Sequence, residues 1–501
     1  MGRILEFLVD PTGTRKTSHM PLKPLLDAAT AAANLADTKP AFSPQEARAE
    51  AARCLFCYDA PCIKACPTGI DVPTFIRKIT TDNLTGAART ILEANVLGGS
   101  CARVCPTAML CEGACVMLDL QQQPIQIGRL QRHATDHAVA CDLDLLPTPA
   151  AQNGRRVSIL GAGPAGLGCA AELALLGYSV TVYDKKPAGG GLNTYGIAVY
   201  KMRPEVSLDE VRMIERLGVR FCFGVEVGRD IEPAELLADY DALFIGLGLG
   251  GAHRLGIPGE DLPEVIDALE FIETMHVRPL AEVPLGRRVV VLGCGNTAID
   301  AATQAKRLGA QQATIVYRRG ADDMPAYGFE YELAKADGVA FLFDHVPVEV
   351  LAEHGHVTAV KLAQTAVRAG RITIVPNSEI TYACDLVLKA VGQMKQVSLL
   401  ERLFPGLAFD HHGRVIHDSA TMQTTLPRVF VGGDAASGGR EVVNAVAEGK
   451  KAARGIHASL TGEIVRGPVQ PSRIGMPDGA TGSGFDHPIR VHELEAALKQ
   501  G

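Results

Sequence analysis

A chain of 501 residues is too long for one compact core and calls for two to four domains. With 47% hydrophobic and 21% charged residues and a formal net charge of −7, it is neither disordered throughout nor a general polyanion binder, so nucleic acid is not expected as a partner. No apolar run reaches the roughly 18 residues that a bilayer span requires, and the opening MGRILEFLVD meets Asp and Pro without a signal-peptide core, so neither membrane nor export is expected.

Residues 1–150 read as an all-helical domain. The alanine-rich LLDAATAAANLA suggests a first helix. At Ser43-Pro44-Gln45-Glu46 a cap, a first-position proline and a capping-box glutamate coincide, and the helix runs through EARAEAARC into the first cysteines. Asp71-Val72-Pro73 starts a second, leading the apolar-periodic TFIRKITTDNLTGAARTILEAN.

Thirteen cysteines are spread unevenly: eight fall between Cys54 and Cys115, while Cys141, Cys169, Cys222, Cys294 and Cys384 are scattered. Such clustering suits metal ligation in a reducing, cytoplasmic compartment rather than a disulfide framework. The block runs Cys54-x2-Cys57-x4-Cys62-x3-Cys66-Pro67 and then Cys101-x3-Cys105-Pro106-x4-Cys111-x3-Cys115. It is a variant of the C-x2-C-x2-C-x3-C-P run of bacterial ferredoxins, with a longer second gap. Zinc is the plainer alternative, but structural zinc sites usually pair two C-x2-C halves, and only one such pair exists here. The two Cys-Pro steps also favour iron–sulfur.

From residue 155 the texture changes to strand, glycine turn, helix, strand, and GRRVVVLGCGNTAIDAATQAKRLGAQQATIVYRR repeats the plan later, which implies parallel sheets in an α/β fold. The first fingerprint is Gly161-Ala162-Gly163-Pro164-Ala165-Gly166. There Gly161 allows the tight turn, Gly163 lets the backbone approach a pyrophosphate, Gly166 permits close helix packing, and Pro164 and Ala165 open a helix whose free N–H groups face the phosphates. Asp184 closes the second strand, placed to accept hydrogen bonds from a ribose diol. The second fingerprint is Gly293-Cys294-Gly295-Asn296-Thr297-Ala298, and its second strand ends in Tyr317-Arg318-Arg319 instead of an acid. A guanidinium can pair with a 2′-phosphate that a carboxylate repels, which favours NADPH over NADH; the alternative makes Arg318 and Arg319 a solvated strand end. Asp300 reads as a first-turn acid facing the helix dipole. From about Gly462, GPVQPSRIGMPDGATGSGFDHP reads as an extended tail ending in a short helix, HELEAALKQ.

Farther on, Gly432-Gly433-Asp434 before a helix starting near Glu441–Asn444 resembles the C-terminal FAD motif of two-dinucleotide-fold flavoprotein reductases. That resemblance implies that Asp434 holds the ribityl chain, and that Gly190-Gly191-Leu192-Asn193 with Tyr195-Gly196-Ile197 lines the flavin. FAD then belongs to the first fold and the nicotinamide to the second. The expected architecture is a helical domain at 1–150, a Rossmann-like FAD domain in two parts at 151–284 and 395–460, an NAD(P)H domain at 285–394 and a tail at 461–501. IGLGLGG (245–251) and KAVGQ (389–393) are expected as the two crossover strands.

Cysteine block, FAD fold, nicotinamide fold and Gly-Gly-Asp follow in the order of the N-terminal half of dihydropyrimidine dehydrogenase, and the glutamate synthase small subunit shares that architecture. CLFCYDAPCIKACPTGID and CPTAMLCEGAC look like the dihydropyrimidine dehydrogenase versions. The resemblance implies two [4Fe–4S] clusters, one held by Cys54, Cys57, Cys62 and Cys115, the other by Cys66, Cys105, Cys111 and Gln131. Gln131 lies in IQIGRLQRHA, where the family places an unusual glutamine ligand; Cys101 matches a family cysteine that is not a ligand. Eight cysteines could also furnish two four-thiolate clusters, with Cys101 in place of Gln131. The chain ends without room for the FMN barrel in which that family reduces pyrimidine. It therefore resembles the NAD(P)H-oxidising subunit of the bacterial two-subunit enzyme. The resemblance implies passage of electrons through FAD and the clusters, within a hetero-oligomer, to a second subunit that carries FMN and further iron–sulfur clusters. No acid–base side chain is required for that task. A glutamate synthase small subunit and a non-enzymatic iron–sulfur scaffold or redox sensor are the alternatives.

Overall fold

The computed structural model describes residues 26–368 and 371–465; the expected helix HELEAALKQ and most of the expected tail lie outside them. The cysteine-bearing part is helical. Ser43 caps the helix Pro44–Ala52 through a complete capping box, with Pro44 at its first position. The periodic stretch after Asp71 is two helices, not one: Val72–Thr80, capped by the Asp71 carboxylate, and Leu84–Ala94, capped by Asn83. Asp82 between them adopts φ +61, a left-handed conformation that Asp tolerates better than most residues and that a helix cannot contain. The apolar faces of these two helices and of Ile127–Ala140 form one core with Phe75, Ile76, Ile91 and Leu130 fully buried. At about 1.5–3 kcal/mol for each large side chain buried, this core holds the cysteine loops against one frame.

Two parallel five-stranded sheets follow. The first comprises β1 (Arg156–Leu160), β2 (Ser179–Asp184), β3 (Arg220–Phe223) and β4 (Ala242–Ile245), closed at its β4 edge by a strand that arrives much later. The second draws on β5 (Val265–Asp267), β6 (Arg288–Leu292), β7 (Gln312–Val316) and β8 (Ala340–Leu342). Before the second sheet is complete the chain makes an antiparallel layer from β9 (His345–Glu353), β10 (His356–Arg368), β11 (Arg371–Ile374) and β12 (Ile380–Ala383), in which β10 pairs with the other three. Then β13 (Leu386–Lys389) enters between β5 and β6, and β14 (Val429–Val431) completes the first sheet in the order β14-β4-β1-β2-β3. Strands β1 and β6 bury four of their five residues, as parallel strands covered on both faces require.

The crossing between sheets corrects two expectations. Residues 246–251 and 390–393 are not strands of either sheet. They run side by side as a two-chain connection, held by Gly250 N–H to Met394 O and Met394 N–H to Gly251 O, both 2.8 Å, and by His253 N–H to Gly392 O at 2.9 Å. The crossing also comes before the break expected at 284/285. β5 already pairs with β13 in the second sheet, and the helix Ala268–Val277 packs Phe271 and Ile272 into that sheet's core, because its apolar face matches β6 and β13.

The helices Pro164–Leu175 and Val442–Thr461 cross at close range over the first sheet. A Cβ on Gly449 would stand 2.1 Å from Ala165 O, and one on Gly168 would stand 2.9 Å from Val446 O. Val96 and Leu97 of the cysteine-bearing part share the first sheet's core. Among the described residues no helix is long and apolar enough to cross a membrane.

Candidate cofactor sites

The helical part brings its cysteines into two groups. Cys54, Cys57, Cys62 and Cys115 line one cleft, walled by Val72, Ile76, Ile125 and Ile127. Burial, and then the neighbouring Cys54 and Cys115 sulfurs, push the Cys62 thiol up to about 12. Cys66, Cys105 and Cys111 form the second group. Burial and then the Glu112 and Cys66 charges raise Cys111, and Cys105 is raised first by its hydrogen bond with Cys101 and then by burial, with Cys111 and Cys66 adding to it. Cys54 is raised by burial as well, so each group holds thiols that burial keeps neutral. A cationic centre reverses that preference and expels the protons, so this donor set fits iron–sulfur chemistry. Among the described residues no three His, Cys, Asp or Glu side chains converge on one ion.

Gln131 sits on the buried face of the helix Ile127–Ala140. Its Nε2 donates to Gly98 O at 2.7 Å. A carbonyl can only accept, so this bond fixes the amide flip and leaves Oε1, the atom able to ligate iron, outside the bond. Cys101 is buried and its sulfur accepts from Asn95 Nδ2 at 3.2 Å.

In the first sheet Gly161 adopts φ +100, and a Cβ there would stand 2.4 Å from Gly246 O. Gly166 lies under the same turn, its Cβ position 1.9 Å from Gly161 O. The Asp184 carboxylate is fixed by Ala162 N–H at 2.7 Å and Lys186 N–H at 2.8 Å, and burial raises its pKa. A Cβ on Gly191 would stand 2.8 Å from the Gly163 Cα, so the two glycine segments make a cradle with no side chain between them. Beside it Asn193 is fully buried with both amide atoms unpartnered, and Leu192 is exposed. Gly433 N–H donates to Glu448 Oε2 at 2.8 Å, and Asp434, raised by burial, accepts from Arg440 N–H at 3.1 Å. An orphaned amide and the half-buried carboxylates of Asp184 and Asp434 around a bare backbone cradle fit a flavin dinucleotide.

In the second sheet Gly293 adopts φ +113 against Ala390 O, whereas Gly295 has no atom within 4 Å of a Cβ position, leaving room at the start of the helix Asn296–Arg307 for a pyrophosphate. Asn296 Oδ1 accepts Tyr327 N–H at 3.0 Å, and Thr297 is half-buried in the first turn. Arg318 and Arg319 are exposed at the end of β7, and neither guanidinium forms an ion pair among the described residues. Asp300 is not the first-turn acid expected, since the helix begins at Asn296 and no acid lies in its first turn. It is buried, paired with Lys201 Nζ at 2.6 Å and accepting from Tyr200 Oη at 2.8 Å, and Lys201 also meets Glu330 at 2.7 Å. Sequence reading did not reach this junction because its members lie on three separate segments. It also missed Glu448 and the hydrogen bond from Tyr327 Oη to Glu441 Oε1, which joins the segment hydrogen-bonded to Asn296 to the cap of the helix Val442–Thr461.

Residues 155–449, more than half of the chain, match the family model for pyridine nucleotide-disulphide oxidoreductase. The chain belongs to that family. Residues 31–142 match the model for dihydropyrimidine dehydrogenase domain II, 4Fe-4S cluster. The protein is thus an oxidoreductase with a [4Fe–4S] domain and folds for FAD and a nicotinamide, and the residues above fit all three. It is 37% identical over 449 residues to the glutamate synthase [NADPH] small chain of Halomonas elongata, covering 86% of this chain and 94% of that one. It is 35% identical over 428 residues to the NAD-dependent dihydropyrimidine dehydrogenase subunit PreT of Escherichia coli (strain K12), covering 85% and 98%. Among solved structures, thioredoxin reductase of T. acidophilum shares the fold at a TM-score of 0.50 and 22% identity, over 61% of this chain and 99% of that chain.

Proposed function

We propose that this chain is the electron-input subunit of an NAD(P)H-dependent dihydropyrimidine dehydrogenase, working in the cytoplasm with a second subunit that carries FMN, further iron–sulfur clusters and the pyrimidine site. The observation that carries the reading is the cleft lined by Cys54, Cys57, Cys62 and Cys115, beside a second group of Cys66, Cys105 and Cys111; the buried Gln131 amide, whose Oε1 is left outside its bond to Gly98 O, is the proposed fourth ligand of that second group. These are the two ligand sets, within a domain whose family model is named for dihydropyrimidine dehydrogenase. When bound, the flavin would accept one hydride, that is two electrons, and the iron–sulfur centres would carry those electrons one at a time. The protein positions and tunes. Asp184 and the Gly161–Gly166 turn hold one dinucleotide, Glu448 fixes the turn at Gly433, Asp434 is the residue for the ribityl chain, and Gly295 with Asn296 and Thr297 receives the other dinucleotide.

Purified without oxygen, the chain should contain about eight irons and one FAD, as expected for two four-iron clusters. Mixed with an FMN-containing iron–sulfur subunit, it should oxidise NAD(P)H over many turnovers only when uracil or thymine is supplied. A second reading, the glutamate synthase small chain, is favoured by the 37% identity to that protein. Oxidation driven instead by a glutamate synthase large subunit with glutamine and 2-oxoglutarate would establish it and remove the first.

Arg318 and Arg319 are the proposed contacts to a 2′-phosphate. Changing both to Ala should lower kcat/KM for NADPH by about tenfold or more, since charge-assisted hydrogen bonds contribute about 1.5–3 kcal/mol. NADH should be affected by less than about twofold. Equal losses for both nucleotides would make the pair a solvated strand end.

A further inference from the structure

The helix Pro204–Glu215, which packs on the first sheet, buries its Glu210 against the cysteine-bearing part. Glu210 is 3% exposed and has no ion pair among the described residues. One carboxylate oxygen accepts Ser100 N–H at 2.8 Å and the other accepts Ser100 Oγ–H at 2.5 Å. A Cβ on Gly99 would stand 3.2 Å from Glu210 Oε1 and 3.6 Å from Val206 Cγ1, so this contact is made at backbone range. Ser100 belongs to the short helix Gly98–Val104. Its first residue offers the carbonyl that orients Gln131, and its C-cap is Cys105. One carboxylate from the flavin-binding half thus grips the turn from which two members of the second proposed ligand set are positioned. Arg103 on the same helix is engaged by Asp136 at 2.6 Å and by Gly99 O at 3.0 Å; its charge favours the Glu210 carboxylate from a distance, while the groups that hydrogen-bond Glu210 are neutral.

We propose that Glu210 is a positioning residue for the iron–sulfur centre of Cys66, Cys105, Cys111 and Gln131: through Ser100 it fixes the Gly98 carbonyl and Cys105, and its buried charge lowers that centre's affinity for an electron. This rests on the ligand sets given above. A buried carboxylate with neutral partners opposes added negative charge nearby, as hydrogen bonding, net charge and exposure around a cluster are known to do. Burial pushes the carboxyl up to about 7, so at pH 8.5 it is ionised.

The test is a redox titration of the intact, anaerobically purified chain at pH 8.5, followed by EPR, on Glu210→Gln, Ser100→Ala and Gln131→Cys. Gln131→Cys marks which signal belongs to the second centre. In Glu210→Gln the amide oxygen still accepts Ser100 N–H, the amide NH2 donates to Ser100 Oγ in place of accepting from it, and the charge is gone. The reduced-to-oxidised ratio of the marked centre at a fixed potential should then rise about tenfold, the effect of one charge roughly 10 Å away at an effective dielectric of 20. The other centre, the flavin potential and the rate of flavin reduction by NAD(P)H should not move. Ser100→Ala keeps the charge and loses one hydrogen bond, and should broaden or shift the marked signal alone. It decides the matter if Glu210→Gln does not fold. With iron and FAD complete, an unmoved marked centre in both variants overturns the proposal, as does an equal shift of both centres. Wild-type protein lacking eight irons, or a silent Gln131→Cys, overturns the ligand reading and this proposal with it.

Discussion

Replacing Cys62 by Ser will halve the iron content, from about eight to about four per chain, and leave FAD in place. Cys62 stands in the cleft with Cys54, Cys57 and Cys115, and its thiol is held near 12 by burial and by those neighbours, so only the charge of a metal centre makes it a thiolate. A serine hydroxyl has no comparable affinity for iron, and the cleft's apolar walls supply no replacement donor. NAD(P)H should still bleach the flavin of the variant at close to the normal rate. Delivery of electrons to the partner subunit should fall by at least about a hundredfold, the general order for losing a group that transfer depends on. Cys141→Ser is the control, since Cys141 is exposed with its sulfur 3.8 Å from His137 Nδ1. Equal iron in the two variants would remove Cys62 from the ligand set.

The second large effect is expected at a glycine. Gly166→Ala places a methyl 1.9 Å from Gly161 O, which is backbone in the turn that carries the first fingerprint. Neither atom can move without sliding the helix Pro164–Leu175 off β1, so the variant should be purified colourless at the flavin bands while keeping its iron. Overpacking of this kind costs about 1–3 kcal/mol or more, and here it falls on the cradle itself. Gly295→Ala makes the useful contrast. Its Cβ position meets nothing within 4 Å and its φ is −86, so the protein should fold with full FAD and iron. Affinity for the nicotinamide dinucleotide should fall by at least about tenfold, because the methyl fills the space of the pyrophosphate. A colourless Gly295→Ala, or a fully yellow Gly166→Ala, would reverse the assignment of the two folds.

The parts of this architecture that local chemistry dictates could be read from the sequence. Ser43, Pro44 and Glu46 announce their helix because a capping box is completed within four residues. The fingerprints at Gly161 and Gly293 were equally plain, since only glycine tolerates φ near +100 with a carbonyl at its α-carbon. Where the outcome depended on distant partners, the reading stopped short. TFIRKITTDNLTGAARTILEAN keeps its apolar period across Asp82 and Asn83, so the break into two helices was hidden behind an uninterrupted buried face. The crossover at 246–251 looked like strand because it continues the apolar run of β4, yet beyond Gly246 its backbone pairs at Gly250 and Gly251 with Met394. Asp300 looked like a first-turn acid because Tyr200, Lys201 and Glu330, which bury and neutralise it, lie far away in sequence. The grouping of the cysteines came from family resemblance rather than spacing, and the cleft at Cys54, Cys57, Cys62 and Cys115 is the geometry that spacing alone could not supply.

The late arrival of β14 governs how this protein can be made. β4 ends at Ile245, but its outer neighbour begins at Val429, and Asp434 and the helix Val442–Thr461 come later still. A ribosome adding 5–20 residues per second leaves that edge bare for roughly 10–40 s, while the second sheet emerges and folds in the gap. An unpaired hydrophobic edge is a template for mispairing with other chains. The cysteine-bearing helices, by contrast, are complete before β1 emerges, so iron can be loaded on a nascent chain that has no means yet of holding its flavin.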